Sequence, residues 1–416
     1  MQPVLYLVRM MRPLIVEYLK SHTFGELEEE WGVDVSVSRS RPYKLSANYS
    51  QIVSKPSPFV NQCRGLILQT TNGLELPIDS KELAKICPGP TTVLARPFDR
   101  FFNHGDPNAA NIDWDDPGLT VVEKLDGTLA IVYYDDSSGE WCMATRSVPD
   151  ADLPFDGGSM TFRKLFDRAL VETTGSESLG FFMDTTDRDL TFCFELTTPL
   201  NRIVVEYNTY DLTWIGTRHR KTGKELTYRD TMKRVAPHTA RHMPPAAKTW
   251  AVGSLEEITV ALEASSPTEL EGVVVVDSEF QRLKIKSLAW LSANKAKSSC
   301  SSPRAILTLI LQEKIDDVLP LLPPDICLTV DRMKTSLTEL YHTTDRRYSE
   351  FLAASEGNRK AFALSVQADP SVWPAAMFGL YVKPQSMREW VASRGGEGGW
   401  PDSFLDNILR AIGEKQ

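Results

Sequence analysis

The 416-residue sequence has few of the features that would commit it to a metal-bound, disulfide-bonded or membrane-spanning class of protein. Its six cysteines form no Cys-x-x-Cys pair, and no histidines stand at the spacing of zinc ligands. No run approaches the ~18 consecutive apolar residues that a membrane-spanning helix requires. A Gly-x-x-x-x-Gly-Lys-Ser/Thr loop is also absent, so a fused P-loop kinase is not expected. We therefore expect reduced, mostly buried thiols and a cytoplasmic protein with no membrane partner.

An excess of positive charge is absent as well, because the formal net charge is −9. This balance argues against a protein that coats nucleic acid with its whole surface, so a polyanion would have to bind a local basic region. Two such regions exist. Residues 217–248 contain nine Lys or Arg against two acids, and residues 284–304 contain five with no acid. Each could bind a polyanion or be an ordinary solvated face.

Up to about residue 298, short β-rich runs alternate with turns and a few helices. Several runs are too apolar to form strands with one face in water, so buried sheets are predicted. The predicted strands of this kind cover residues 190–196, 212–217, 272–276 and 282–286. An amphipathic helix is predicted over residues 159–175, with Ser159 as its N-cap and Gly175 at its end.

Beyond residue 298 the spacing of apolar residues becomes helical. The predicted helices cover residues 303–318, 326–341, 386–393 and 403–412. We therefore predict two domains, an α+β domain over residues 1–298 and a separate all-α domain over residues 299–416. With 42% hydrophobic residues, the chain is long enough to form a core in each.

One hexapeptide, residues 123–128 with the sequence Glu-Lys-Leu-Asp-Gly-Thr, lies between two apolar runs. Lys124 would end one strand and Gly127 would let the backbone turn into the next, which leads into a predicted hairpin at residues 135–139. A lysine before an Asp-Gly turn is usually a solvated hairpin residue, so the hexapeptide alone does not identify a nucleophile. The segments around it decide the interpretation.

Five further segments accompany the hexapeptide in order along the chain. They cover residues 61–68, with Arg-Gly at its centre, 96–103, which ends in Phe-Phe-Asn, 192–204, 271–275 and 283–287. In content, order and spacing, the series resembles the covalent nucleotidyltransferase superfamily of ligases and capping enzymes. The Arg-Gly and Phe-Phe-Asn elements and the segment Pro-Leu-Asn-Arg-Ile-Val after Glu195 make it similar, more narrowly, to the phage-type RNA ligase 1 family. The likeness covers roughly residues 50–290.

The resemblance implies an ATP-dependent RNA ligase with the nucleotidyltransferase fold of ATP-grasp-like ligases, in which antiparallel sheets have flanking helices. Lys124 would take AMP from ATP and pass it to the 5′-phosphate of an RNA, and a 3′-hydroxyl would then displace AMP. The implied cofactors are ATP, with AMP bound covalently to Lys124, and Mg²⁺ or Mn²⁺. The implied partner is RNA with these two ends, such as a cleaved tRNA, and the helical domain would select it. We expect a monomer, in the host cytoplasm if a phage encodes it.

The candidate nucleophile must attack as a neutral amine, although a free lysine has a pKa near ~10.4. Lys284 and Lys286 alternate along one predicted strand, so both would point into the pocket, disfavour a third charge at Lys124 and neutralise phosphate oxygens. The resemblance makes these two lysines the basic pair of the family's last motif. Without the hexapeptide they would be interpreted as residues of a solvent-facing strand edge.

Positive side chains are needed because charge spreads over the phosphoryl oxygens during transfer. By resemblance, Arg64 contacts the nucleotide, Arg100 replaces the lysine that is usual at its position, and Arg146 matches a further basic position. An exposed strand arginine is an equal alternative for Arg146. Glu123, Leu125 and Gly127, beside the nucleophile, complete the implied nucleotide contacts.

Two glutamates lie on apolar strands, where a carboxylate normally needs a partner or a metal. The resemblance implies that Glu195 holds the ribose and that Glu271 holds Mg²⁺ at the α-phosphate. Asp126 could contact the metal through water or cap the turn at Gly127. Phe102 would stack on the base or belong to the core.

One departure from the family concerns Trp290, which stands where a tyrosine is typical. An indole can stack or donate one hydrogen bond, but it cannot accept one.

Two other functions remain open. DNA ligases and capping enzymes share the lysine chemistry, but they usually continue into a β-rich domain, whereas this chain becomes helical. A non-catalytic fold that only binds RNA ends is the other, and the presence of the lysines and both glutamates argues against it.

Overall fold

The protein is described by a computed structural model that covers residues 12–50, 54–71, 74, 80–152, 159–177, 179, 187–369, 372–395 and 399–414. The chain divides into two compact units between Trp290 and Leu291. The sequence placed the boundary eight residues later, at 298/299, near the end of the helix Leu288–Ser299 that crosses it. None of the helices in the described ranges combines the length and apolar content needed to span a membrane.

Strands dominate the described part of the first unit. They are β1 (Val33–Val37), β2 (Lys44–Tyr49), β3 (Arg64–Thr70), β4 (Thr91–Ala95), β5 (Phe102–Asn103), β6 (Thr120–Lys124), β7 (Thr128–Asp135), β8 (Glu140–Thr145), β9 (Leu190–Thr197), β10 (Asp211–His219), β11 (Glu225–Leu226), β12 (Gly272–Val276) and β13 (Arg282–Lys286).

These strands form three sheets with the orders β1-β2-β3-β4, β11-β10-β9-β7-β8 and β5-β13-β12-β6. Neighbouring strands are antiparallel except β5 and β13, which are parallel. The predicted bounds of β12 and β13 are confirmed, and β9 and β10 extend the predicted runs by one to two residues at an end. The first unit therefore has the predicted α+β architecture of mostly antiparallel sheets with flanking helices.

The central strand β7 shows why these runs lack polar residues. Leu129, Ile131 and Tyr133 pack with residues of the first sheet, such as Ile67 and Leu94. The alternate residues of β7, including Ala130, Val132 and Tyr134, pack against the helix Phe162–Thr174 on the other face. Because successive side chains of a strand point to opposite faces, burial on both faces requires a continuous apolar run.

The helices of the first unit cover the outer faces of the sheets. They are α1 (Leu14–Tyr18), α2 (Phe24–Trp31), α3 (Pro58–Asn61), α4 (Ser80–Ala84), α5 (Phe162–Thr174), α6 (Tyr228–Arg234), α7 (Pro237–Arg241) and α8 (Leu255–Glu263), with α9 (Leu288–Ser299) at the boundary. The prediction for α5 was wrong at its start, because the hydroxyl of Thr161 rather than Ser159 accepts from the Lys164 N–H as the N-cap. Its end at Gly175, with φ 72°, is confirmed.

The second unit is helical in its described residues, as predicted. Its helices are α10 (Pro303–Leu311), α11 (Ile315–Val318), α12 (Pro324–Ser355), α13 (Arg359–Ala368), α14 (Pro374–Val382), α15 (Met387–Ala392) and α16 (Asp402–Ala411), with a 3₁₀ turn at Leu319–Leu321. The single helix predicted over 303–318 is interrupted at Glu313, whose φ of 59° is incompatible with a continuous helix. Helices α13 and α14 were not predicted.

Candidate active site

Lys124 is the last residue of β6, and strand register places two further functional candidates beside it. Lys124 pairs with Gly272 of β12, which in turn pairs with Lys286 of β13. Lys284 lies two residues earlier on β13 and therefore on the same face as Lys286, as predicted. A Cβ at Gly272 would lie 2.2 Å from the carbonyl oxygen of Ile285, so the close approach of β12 to β13 requires glycine here.

Glu271 connects the two outer lysines of this row. Its Oε2 lies 2.6 Å from Lys124 Nζ and its Oε1 lies 2.7 Å from Lys286 Nζ. The Glu271 side chain is 3% exposed, whereas those of Lys124 and Lys286 are 22% and 19% exposed. The candidate nucleophile is thus partly covered and forms an ion pair with Glu271.

Lys284 differs from these two lysines in its contacts. Its Nζ lies 4.5 Å from the centre of the Phe101 ring, and none of the ion pairs among the described residues involves it. Burial, followed by the charges of Arg64, Lys124 and Lys286, lowers the pKa of Lys284 to about 7. Lys284 is therefore the lysine of this row of three that forms no ion pair among the described residues.

Glu195 lies on β9, in the neighbouring five-stranded sheet, and meets the hexapeptide from the other side. Its Oε1 accepts a hydrogen bond of 3.1 Å from the N–H of Gly127. Burial raises the pKa of Glu195 to about 7, although the positive charges of Lys124 and Arg64 oppose this shift. The structure therefore brings both predicted glutamates next to the predicted nucleophile.

The connection between β6 and β7 follows the prediction, but Gly127 is needed for a different reason. The strands end and begin at Lys124 and Thr128, as expected. Gly127 is absent from the residues with positive φ, so the turn does not depend on a left-handed backbone conformation. A Cβ at Gly127 would lie 2.4 Å from the carbonyl oxygen of Leu196. Glycine is required because the loop crosses directly over the backbone of β9.

Asp126 anchors this loop to the segment that follows β9. Its Oδ2 accepts from the N–H groups of Val204 (2.8 Å) and Val205 (3.0 Å) and from Trp290 Nε1 (3.0 Å). Its own N–H donates to Tyr207 Oη at 2.9 Å. The side chain holds a neighbouring segment, rather than capping the Gly127 turn. Its contact with a metal remains a prediction. Tyr207 was not predicted from the sequence, and it lies three residues beyond the recognised segment 192–204.

Arg64 occupies a β-bulge that turns its side chain toward the site. Gly65 has a φ of 73°, and the register between β2 and β3 shifts there. The Arg64 Cζ lies 4.6 Å from the ring centre of Phe98 and 5.7 Å from that of Phe101. Among the described residues its buried Nη1 has no hydrogen-bond partner. This donor is available to a phosphate oxygen.

The remaining predicted residues gather around Tyr49, which the sequence did not single out. The Cζ atoms of Arg100 and Arg146 lie 4.3 Å and 5.8 Å from its ring centre. Arg100 also donates to Ser54 Oγ at 3.1 Å and lies 5.0 Å from the Phe102 ring. Phe102 is buried under this arginine, whereas its neighbour Phe101 is the ring against Lys284.

Two residues beside the nucleophile differ in their surroundings. Glu123 is half-buried, and its N–H donates to the carbonyl oxygen of Lys248 at 2.8 Å. Burial raises the pKa of Glu123, and the charge of Lys248 opposes that shift. Leu125 is half-buried in the loop between β6 and β7. Lys248 was counted in a basic region but not predicted at the site.

In that basic region, residues 217–248, five of the nine basic side chains form ion pairs. The pairs are Arg218–Asp99, Arg220–Asp136, Arg220–Asp189, Lys221–Asp189, Lys233–Asp230 and Arg234–Asp187. Of the two interpretations of this region, the structure therefore favours the one that does not involve a polyanion. The second basic region begins with Lys284 and Lys286 and so contributes directly to the candidate site.

Comparison with known proteins identifies the family of this chain. The family model described as RNA ligase matches residues 62–296, more than half of the chain. A putative bifunctional polynucleotide kinase/RNA ligase of Autographa californica nuclear polyhedrosis virus is 28% identical over 278 residues, which are 64% of this chain and 35% of that protein. The RNA ligase of Rhodothermus phage RM378 is 26% identical over 335 residues, covering 65% of this chain and 74% of that protein.

Among solved structures, an archaeal ATP-dependent RNA ligase (form 2) is 15% identical, with a TM-score of 0.45 over 78% of this chain and 82% of that chain. The chain spans about a third of the length of the viral relative and about three quarters of that of the phage relative. Because the family model covers more than half of it, the chain belongs to the RNA ligase family, which is the family that the six sequence segments predicted.

Proposed function

We propose that this chain is an ATP-dependent RNA ligase that joins a 5′-phosphate to a 3′-hydroxyl through a lysyl-AMP at Lys124 and an RNA-adenylate. The observation that supports this most is the row formed by Lys124, Gly272 and Lys286, with Glu271 bridging the two lysines. Such a row offers an amine, a carboxylate and additional positive charge within one partly covered site, which is what transfer of a charged phosphoryl group needs.

In the first step the Lys124 amine forms a bond to the α-phosphorus of ATP, and pyrophosphate leaves with the electrons of the broken P–O bond. The amine must first pass a proton to solvent, which its partly exposed side chain can reach, so the Lys124–Glu271 ion pair has to open. Polyphosphate charge can be received by Lys284 and Lys286, together with the free Nη1 of Arg64. These cations are arranged before the ligand arrives, and therefore lower the cost of bringing a tetravalent anion to an amine.

The divalent cation is assigned to Glu271. Magnesium takes one or two carboxylates together with phosphate oxygens, and Glu271 is a carboxylate that already faces two cations in the site. When bound there, Mg²⁺ or Mn²⁺ would neutralise charge on the phosphoryl group. The Asp126 oxygen that contacts Trp290 is already occupied by three N–H donors, so Asp126 fits a supporting role better.

In the later steps an oxygen of the RNA 5′-phosphate displaces the lysine, and the RNA 3′-hydroxyl then displaces AMP. Glu195 is assigned to the ribose and Phe102 to the base, while Arg100 and Arg146 are assigned to phosphate groups. Glu123, Leu125 and Gly127 line the nucleotide beside Lys124. A cleaved tRNA remains the substrate that we propose, with residues 299–416 selecting it, in a cytoplasmic monomer. The six free cysteines are compatible with that compartment.

Labelling with α-labelled ATP and Mg²⁺ tests the proposal. The native protein should retain the label after denaturation, and Lys124→Ala should abolish it. Lys360→Ala, which removes an exposed lysine of the helical unit, should label like the native protein. A native protein that never acquires the label would contradict the proposal. Comparing ATP with GTP, and single-stranded RNA with nicked DNA, separates the ligase from a capping enzyme or a DNA ligase.

A further inference from the structure

Trp290 contacts two parts of the candidate active site at once. The N–H at the edge of its indole donates to Asp126 Oδ2 at 3.0 Å. The ammonium group of Lys286 lies 4.1 Å from the centre of its ring. The residue is 4% exposed, so neither contact is made by a mobile surface side chain.

The edge contact acts on the loop that follows the nucleophile. Asp126 is two residues from Lys124, and its Oδ2 receives three N–H donors, of which the indole is one and the backbone of Val204 and Val205 supplies the others. A buried carboxylate depends on such donors, and hydrogen bonds to a charged acceptor are stronger than those between neutral groups. The indole N–H therefore helps to fix the backbone on which Lys124 ends its strand.

The face contact acts on the charges around the nucleophile. Lys286 is held from two sides, by Glu271 Oε1 at 2.7 Å and by the ring of Trp290. An aromatic face attracts a cation, and Trp does so more strongly than Phe or Tyr. Lys286 and Lys124 both form ion pairs with Glu271. The position of Lys286 therefore influences how close the Glu271 carboxylate lies to Lys124.

We propose that Trp290 is a positioning residue for adenylate transfer. Its edge fixes the turn after Lys124 by way of Asp126, and its face holds Lys286 beside Glu271. This inference rests on the proposed function. The role depends on the indole N–H donating a hydrogen bond. A tyrosine at this position would place its phenolic oxygen at a different distance and in a different direction.

The two contacts can be separated by substitution, with single-turnover adenylate formation as the measurement. Trp290→Phe keeps an aromatic face and removes the N–H. We expect its rate constant at saturating ATP to fall about tenfold, the loss typical of one hydrogen bond to a charged group, with the half-saturating ATP concentration within about twofold of native. Trp290→Leu removes both contacts, so the half-saturating ATP concentration should also rise, by about fivefold or more.

A double-mutant cycle tests whether the indole acts through the carboxylate. Asp126→Asn should itself slow adenylate formation, because it weakens the same three hydrogen bonds. Adding Trp290→Phe to Asp126→Asn should then cause little further loss, since the two changes remove one shared interaction. Independent losses that multiply in the double variant would overturn the inference.

Trp400→Phe is the matched control. The Nε1 of Trp400 donates to the carbonyl oxygen of Val391 at 2.8 Å, so this variant loses an indole hydrogen bond in the helical unit. It should lower thermal stability and leave adenylate formation at the native rate. A native rate in Trp290→Phe, or equal slowing in Trp290→Phe and Trp400→Phe, would overturn the inference while the native protein still forms its adduct. Absence of any adduct from the native protein would overturn the proposed function and this inference with it. If Trp290→Leu does not fold, Trp290→Phe and the cycle still decide.

Discussion

The first unit combines lysine and carboxylate side chains in two contrasting ways. Between the first two sheets, Lys44 of β2 is fully buried, with its Nζ 3.0 Å from Asp135 Oδ2 and 3.4 Å from Asp150 Oδ1. At the candidate active site a single carboxylate, that of Glu271, serves two lysines that remain about one fifth exposed.

The two clusters differ in their balance of charge and in their exposure. Around Lys44 two carboxylates face one lysine, and the side chains of Lys44 and Asp135 are fully buried. Around Glu271 the cations outnumber the carboxylates, since Lys284 and Arg64 add positive charge without an ion-pair partner of their own among the described residues. An excess of one sign in a partly open site is what an anionic ligand can complete, and perturbed groups concentrate at such sites.

The largest expected effect is on the buried cluster. Lys44→Met should lower the free energy of unfolding by about 3–5 kcal/mol, because it leaves buried carboxylates without their cation. Urea unfolding would measure this. The pair Lys44→Met with Asp135→Asn should be less unstable than Lys44→Met alone, since the uncompensated charge is gone. If Lys44→Met were as stable as the native protein, the claim that the Lys44 cluster stabilises the fold would be wrong.

The next effect is at the carboxylate shared by the two lysines. Glu271→Gln keeps the shape of the side chain and removes its charge, so adenylate formation should fall by about a hundredfold or more. Its unfolding free energy should change by about 1 kcal/mol or less, because partly exposed lysines regain solvation when an ion pair is lost. A Glu271→Gln protein as unstable as Lys44→Met would show that the two clusters do not differ in kind.

The smallest expected effect is at Lys284. Its substitution should increase stability, whereas Lys44→Met should decrease it. The folded pKa of about 7 lies below the ordinary lysine value, so the folded state binds the proton less readily than the unfolded state. Stability associated with this group is present above pH ~10.4 and is lost as pH falls through about 7. Lys284→Met should therefore stabilise the protein at pH 6–7, by about 2 kcal/mol, with the gain disappearing in strongly alkaline solution. Thermal unfolding at several pH values measures it, and a pH-independent difference would contradict the assignment.

Much of this arrangement could be predicted because it is local in the sequence. The alternation of Lys284 and Lys286 on one strand follows from the spacing of two residues, and the bounds of β12 and β13 follow from an apolar run and its turns. The end of β6 at Lys124 was likewise predictable. Family resemblance supplied the long-range association of these segments, which apolar periodicity alone does not contain.

What could not be predicted depends on register and on close contact between distant strands. Glu271 meets Lys124 only because Gly272 is opposite Lys124, across 148 residues of chain, and no local pattern specifies that pairing. The burial that, with neighbouring positive charges, lowers the pKa of Lys284 to about 7 likewise depends on packing between distant segments. Thr161 capped α5 in place of Ser159 because both residue types suit an N-cap and only the backbone decides between them.

The side chain of Arg64 has a consequence for how a ligand would be selected. Its Nη1 is dehydrated during folding yet meets no acceptor among the described residues, while aromatic rings hold the rest of the guanidinium. An incoming oxyanion would thus meet a donor that is already desolvated and aligned. A neutral acceptor would offset less of the free-energy cost of burying that unpaired donor. Part of the preference for anions over neutral molecules is therefore established when the protein folds and the bulge at Gly65 forms, before any ligand binds.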